Sequence, residues 1–288
     1  MLGFVLAEDK TPPPAATQDI LGVQVSLRAG VAHLSVDSGK ASFWLDQLRC
    51  AAQAGTLSSP EARALAGKLS FGCSAVWGRL PRSHLNHFYQ LAAGTMVAPA
   101  LVLAELSWWQ RFMLDHKATS VSLSPDLSPR ILLYTDASGS GGCGAVLLDG
   151  TSSEWFGSNC SAIHPLLLDR KTQINALELF TVLASLRLWR ERCSGRRLAL
   201  LIDNTTALWA VRNGRSTASD LSALSHAIWF ALHKLRAHIS VFWVPSKLNL
   251  ADAPSRGRPP SPRKMMMRRP RTCCRRRAQP EPAIGSPR

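Results

Sequence analysis

Apolar and polar positions change rhythm twice along the chain. Up to residue 30 the pattern reads strand, turn, strand: LGFVL, the breaker DKTPPPAATQD, then ILGVQVSL with Ile20, Val23, Val25 and Leu27 in imperfect alternation. Three consecutive prolines exclude a regular element between the two runs. From residue 38 to 118 the spacing is helical. Ser59 and Pro60 predict a helix start, with Ser59 as N-cap and Pro60 at the first position. Leu65, Leu69 and Val76 follow at helical intervals, and LVLAELSWWQRFML sets Leu103, Leu106, Trp109 (or Phe112) and Met113 on one face. The Trp108–Trp109 pair can stack on bases, although paired aromatics at this spacing more often fill a core. Residues 119–130, TSVSLSPDLSPR, read as a linker rich in Ser and Pro.

Beyond residue 130 the rhythm shortens. RILLYTDAS, CGAVLLDG and SSEWFGSN are three brief runs separated by turns, which predicts antiparallel strands. A helix from about Thr172 to Cys193, closed by Gly195, is apolar nearly all round and must be buried. RRLALLIDN is the next strand. A short helix ends at Gly214, an amphipathic helix spans 220–237, and HISVFWVPS is a last strand before a loop and a helical turn. The order β-β-β-α-β-α-α-β-α predicts an α/β fold: a mixed five-stranded sheet with flanking helices.

Charge adds a feature that the periodicity does not show. The net charge is +15, and from Arg256 onward eleven Lys and Arg face one acid, Glu281, so that segment carries +10 of it. Residues 258–288 have no periodicity and are expected to be a disordered basic tail. Such a tail can hold nucleic-acid phosphates, serve as a nuclear address, or be simply a solvated charge run. The seven cysteines show no CxxC pair, so spacing supports neither a zinc site nor a disulfide framework, and an intracellular, reducing compartment fits best. The first residues have no basic n-region, and no apolar run approaches ~20 residues, so neither a signal peptide nor a membrane span is expected.

Four acidic residues stand at the ends of apolar runs or inside them: Asp136, Glu178, Asp203 and Asp252. A carboxylate there is costly unless it is paired or bound to a cation. Singly, each has a structural reading. Asp203 followed by Asn204 suits a helix N-cap, and Glu178 suits an ion-paired helix position. Yet Glu178 has Ile174, Asn175, Thr181 and Val182 at i±3 and i±4, none of them basic. If the first and fourth strands of this region are neighbours, Asp136, Glu178 and Asp203 can meet at one sheet edge. Hard oxygen ligands of this kind suit Mg²⁺, and two such ions with shared carboxylates support in-line phosphoryl displacement.

At these residues the chain resembles a retroelement ribonuclease H. YTDAS with Asp136, ALEL with Glu178, IDN with Asp203 and VPSKLNLADAPSRG with Asp252 resemble the four-carboxylate pattern of that family. The last segment is the most specific; Ser246 stands where the family usually has glycine. ILGVQVSL resembles the strand closing a reverse transcriptase palm, and LAGKLSFGCSAVWGRLPRSHLNHFY and ELSWWQRFML resemble the thumb and connection of DIRS-like elements. The resemblance implies the end of a palm in 1–30, a helical thumb and connection in 31–118, a linker in 119–130, a ribonuclease H-like domain in 131–257 and the basic tail in 258–288. It implies hydrolysis of the RNA strand of an RNA/DNA hybrid. Asp136, Glu178, Asp203 and Asp252 would be both catalytic and metal-holding, with two Mg²⁺ ions (Mn²⁺ a substitute). Ser138 and Asn204 are the implied substrate contacts. No Tyr-x-Asp-Asp polymerase motif occurs, so no DNA polymerase activity is expected. A non-catalytic nucleic-acid-binding remnant of the same fold is the alternative. The oligomeric state is left open.

Overall fold

The computed structural model describes residues 13, 15–124, 130–150, 152–159 and 173–261. LGFVL, the start of the long helix at Thr172 and the tail from 262 onward lie outside the described residues.

The chain builds two sheets, each with its own helices. The first holds β1 (Thr17–Ile20), β2 (Val23–Arg28), β3 (Val31–Val36) and β4 (Ala118–Ser122), antiparallel in that order. Between β3 and β4 come α1 (Ser38–Ala54), α2 (Ser59–Gly72), a π-helical turn at Cys73–Trp77, a 3₁₀ turn at Arg82–Leu85, α3 (Asn86–Ala92) and α4 (Pro99–Asp115). Three expectations need correction. ILGVQVSL is not one strand: Leu21 and Gly22, both at positive φ, turn the chain between β1 and β2. Residues 31–118 are not purely helical, because β3 opens them. Residues 119–130 are not simply linker, since Ala118–Ser122 pairs with β3. Both strands were hidden by weak patterns. β3 is mostly half-buried with only imperfect alternation, and β4 is a mostly exposed edge strand built of Ala, Thr, Ser and Val, so it has no apolar alternation to show. A smaller correction concerns α2, whose N-cap is Ser58. The Ser58 side chain and the Glu61 carboxylate form a reciprocal capping box, which places Ser59 inside the helix.

The core of this part lies between α1, α2, α4 and the first sheet, and includes Trp44, Leu48, Leu65, Leu69, Phe88, Leu106 and Trp109. Trp109 is fully buried with Nε1 donating to the carbonyl of His84 at 2.8 Å, while Trp108 stacks on His84 and Phe112. The tryptophan pair is therefore core.

The second sheet is mixed and five-stranded, as the α/β pattern requires. It comprises β5 (Ile131–Ala137), β6 (Gly142–Asp149), β7 (Ser152–Asn159), β8 (Arg197–Ile202) and β9 (His238–Trp243), in the order β7-β6-β5-β8-β9. β5, β6 and β7 are antiparallel hairpins, whereas β8 runs parallel to β5, and β9 parallel to β8. Helices supply the parallel crossovers: α5 (Gln173–Leu188), α6 (Arg190–Cys193), α7 (Thr205–Asn213) and α8 (Ser219–Lys234), with α9 (Asp252–Ser255) after the last strand. The long helix predicted to run to Cys193 breaks at Trp189, so α6 is separate. One face of the sheet carries α5, α7 and α8 over Leu133, Leu147, Leu179, Leu186, Leu200 and Ile228. The other buries Tyr134, Val146, Val244 and Leu250. β5 is thus covered on both faces, which explains its unbroken apolar run.

Cys50, Cys73 and Cys193 are free thiols, but Cys143 is disulfide-bonded, a pairing that cysteine spacing does not reveal. No helix among the described residues is long and apolar enough to cross a membrane.

Candidate metal centre

Parallel pairing of β5 with β8 decides the site. It sets the carboxyl ends of both strands side by side, so Asp136 near the end of one and Asp203 just past the other become neighbours. α5 crosses behind them and brings Glu178 in. Carboxylate oxygens of Asp136, Glu178 and Asp203 all lie within 4.8 Å of one another. Two of the three are deeply buried, Asp136 at 6 % exposure and Glu178 at 3 %.

Such proximity has an electrostatic cost. Burial pushes the Glu178 pKa up to about 9, and the Asp136 and Asp203 charges add to it, against a hydrogen bond from the Ala137 backbone. Burial likewise raises Asp136 to about 6, opposed by a hydrogen bond from Ser255 and reinforced by Asp203 and Asp252. Glu178 Oε2 is buried with no hydrogen-bond partner. Among the described residues, no ion pair reaches any of these three carboxylates. Three converging hard oxygens with one buried atom unsatisfied are what a divalent cation of the Mg²⁺ type would complete, and the donor set fits that group.

Asp252 stands outside this 4.8 Å group. Its carboxylate is engaged by Arg256 at 3.0 and 3.1 Å, although its charge still reaches Asp136. The other two predicted residues each make local hydrogen bonds. Ser138 Oγ accepts the Gly142 backbone N–H at 3.0 Å and closes the β5–β6 turn. Asn204 caps α7 by accepting from Ala207 N at 2.9 Å and donates to Asn175 Oδ1 at 2.9 Å. Asp149, at the turn between β6 and β7, receives Arg192 and Arg196 at 3.2 and 2.9 Å.

Two residues were missed as site builders. Ser255 Oγ donates to Asp136 Oδ2, and Asn249 Nδ2 donates to the Thr135 carbonyl at 2.9 Å and faces Asp136 Oδ1 at 3.4 Å. Both lie inside the segment NLADAPSR, which was read for Asp252 alone. α9 reaches Asp136 because glycines clear its path. A Cβ on Gly144 would fall 2.2 Å from Ser255 N and 2.5 Å from the Pro254 carbonyl carbon, and Gly142 and Gly157 meet the same backbone. Gly144→Ala is therefore expected to push α9 off β6 and loosen Ser255 from Asp136. The activity proposed below should fall on the order of 10²-fold, as for a misplacement of about 1 Å, while far-UV circular dichroism shows the sheet retained. Unchanged turnover would show that α9 does not position Asp136.

Comparison with protein-family models and with curated proteins returned no match. Among solved structures, RNase H1 from the halophilic archaeon Halobacterium salinarum NRC-1 is similar over 44 % of this chain and 94 % of its own, at 18 % identity and a TM-score of 0.35. The N-terminal RNase H domain of a Mycobacterium tuberculosis protein, solved as a fusion with maltose-binding protein, is similar over 45 % of this chain and 93 % of its own, at 19 % identity and a TM-score of 0.35. At that identity and score neither assigns an activity here. The chemistry has to come from the carboxylates.

Proposed function

We propose that the chain is a divalent-cation-dependent endonuclease of ribonuclease H type that hydrolyses the RNA strand of RNA/DNA hybrids. One observation carries the reading: Asp136, Glu178 and Asp203, from three different elements, converge within 4.8 Å with a buried Glu178 oxygen unsatisfied. The motif VPSKLNLADAPSR supports a retroelement source, in which residues N-terminal to the second sheet would be the thumb and connection of a reverse transcriptase.

In this reading Asp136, Glu178 and Asp203 would hold the cations, and Asp252, here engaged by Arg256, would complete the set. Bound Mg²⁺ supplies Lewis-acid polarisation of the phosphoryl oxygens and a water of lowered pKa. The chain's residues orient that chemistry. Ser255 and Asn249 fix the Asp136 carboxylate, and the rigid α5 backbone fixes Glu178. By the resemblance to ribonuclease H, Glu178 would also come near the 2′-hydroxyl of the RNA strand, the group that distinguishes RNA from DNA. Ser138 and Asn204, each one or two residues beyond a cation-holding aspartate, would contact the hybrid. Water would attack phosphorus and give up a proton as the bond to the 3′-oxygen breaks, and the departing oxygen would gain a proton from solvent, leaving a 3′-hydroxyl and a 5′-phosphate.

The test is a comparison of substrates. With Mg²⁺, the full chain is expected to cut the RNA strand of an end-labelled hybrid and to leave an RNA duplex and a DNA duplex of the same sequence intact. Equal cutting of all three, or a cleavage unaffected by EDTA, would sink the proposal.

A further inference from the structure

The two hydrophobic cores meet along a seam, and arginines gather there. Arg79 and Arg82 come from the segment between α2 and α3, Arg212 from the end of α7, and Arg215 from the turn after it. Neutral acceptors hold every guanidinium. Arg79 Nε donates to the Arg212 carbonyl, and Arg212 donates twice to the Val241 carbonyl, at 3.1 and 2.7 Å. Arg215 donates to Asn86 Oδ1 at 3.1 Å, and Arg82 to Ser74 Oγ at 3.4 Å. None of the four is ion-paired to a carboxylate among the described residues. Their positions are fixed, three of them also lying over aromatic rings. Gly214 holds the seam close: at φ 71 it caps α7, and a Cβ there would fall 2.5 Å from the Arg79 carbonyl oxygen.

A cavity of about 570 Å³ opens on this seam, lined by Arg82 from one side and by Thr206, Trp209, Asn213 and Arg215 from the other. Thr206, Trp209, Ala210 and Asn213 fall at i, i+3, i+4 and i+7, one face of α7. Trp209 is 55 % exposed, with the Arg212 guanidinium 5.5 Å from its ring centroid. An exposed indole beside fixed cations suits a stacked base with its phosphates. An acidic peptide would leave that indole unused. α7 starts directly after Asp203 and Asn204, so its groove face leads away from the carboxylates by roughly 15 Å at ~1.5 Å per residue. That is a reach of a few nucleotides.

We infer that this groove holds the phosphodiester backbone of a nucleic-acid strand running away from the carboxylate site, with phosphates on Arg82 and Arg215 and a base on Trp209. For the identity of that strand as substrate, the inference rests on the nuclease reading above.

Binding and cleavage separate the two. Anisotropy of a fluorescent RNA/DNA hybrid is measured in EDTA with the full chain carrying Asp136→Asn, across a salt series. Arg82→Gln with Arg215→Gln is expected to weaken binding about tenfold or more near ~0.1 M salt and to flatten the log–log salt slope by about two. Arg215→Gln also loses the Asn86 bond, so Trp209→Ala, at an exposed position, is the second variant, with an expected loss of roughly fivefold or more. Unchanged affinity and slope in both variants would overturn the inference. So would displacement of the hybrid by millimolar inorganic phosphate or by polyglutamate at equal charge concentration. If the parent chain binds through the seam but never cuts the hybrid with Mg²⁺, the groove stands and the nuclease reading alone is lost.

Discussion

Asp136→Asn is expected to slow hybrid hydrolysis by about a thousandfold or more without loss of the fold. The substitution keeps the shape of a side chain that Ser255 and Asn249 hold in place, removes its charge and turns one acceptor oxygen into a donor. A carboxylate ligand to a cation contributes several kcal/mol to stabilising charge in the transition state, and ~1.4 kcal/mol is tenfold in rate. Stability moves the other way. Asp136 is buried among like charges, with its pKa raised to about 6, so its ionised form is a strain on the metal-free protein at neutral pH. The Asn variant should melt at the same temperature or higher in EDTA near pH 7.5. Single-turnover cleavage and thermal melting on the same preparation read both effects. A rate within tenfold of the parent would place catalysis elsewhere.

Glu178→Gln should remove a dependence of stability on pH. The Glu178 pKa rises from 4.5 to about 9, chiefly through burial. Its proton is therefore held more tightly by the folded chain than by the unfolded one. The stabilisation it contributes is fully present below pH 4.5 and is lost as pH climbs through about 9. At ~1.4 kcal/mol per unit, even half of such a shift is about 3 kcal/mol between pH 5 and 9. Metal-free parent protein should lose melting temperature steadily across that window, with Asp136 adding to the slope at its lower end. A neutral amide mimics the protonated acid, so Glu178→Gln should be flatter and more stable near pH 9. Millimolar Mg²⁺ or Mn²⁺ should restore the parent at high pH and leave the Gln variant largely unmoved. Cation binding near pH 7 should also release a proton, seen as a titration heat that varies with the buffer's ionisation enthalpy. Identical melting profiles for the two proteins would contradict the raised Glu178 pKa.

Much of the second sheet was legible in the chain because its strands are either doubly buried or hairpin-linked, and its helices are strongly apolar. β5 and β8 read as short continuous runs, and Asp136 and Asp203 mark where those runs end. Glu178 was visible as the one acid on an apolar helix with no basic neighbour. Convergence itself was not legible. It depends on β8 lying beside β5, a long-range pairing that no local pattern specifies. The supports of Asp136 were missed because Asn249 and Ser255 are ordinary polar residues until α9 folds back, and Gly144 and Gly157, which admit it, lie within runs that read simply as strands. In the first sheet, β4 stayed hidden because a mostly exposed edge strand carries little hydrophobic contrast, and β3 because its partly buried residues alternate only imperfectly. Asp252 illustrates the converse: its motif is specific, but in this structure its side chain is committed to Arg256.

Trp229 sits on α8 and packs against both hydrophobic cores, with Arg79 over its ring and Nε1 donating to the Val211 carbonyl. It is a party wall. A fragment beginning near residue 130 would keep all three converging carboxylates and yet bare one side of this indole, together with the His226 ring nitrogen that meets the Leu80 carbonyl at 3.2 Å. The excised piece should be sticky and sparingly soluble even if its sheet is whole. For the same reason, a breakpoint in the chain's descent that parted the two sheets would have damaged both, so the carboxylates and the helices in front of them are expected to be inherited as one block.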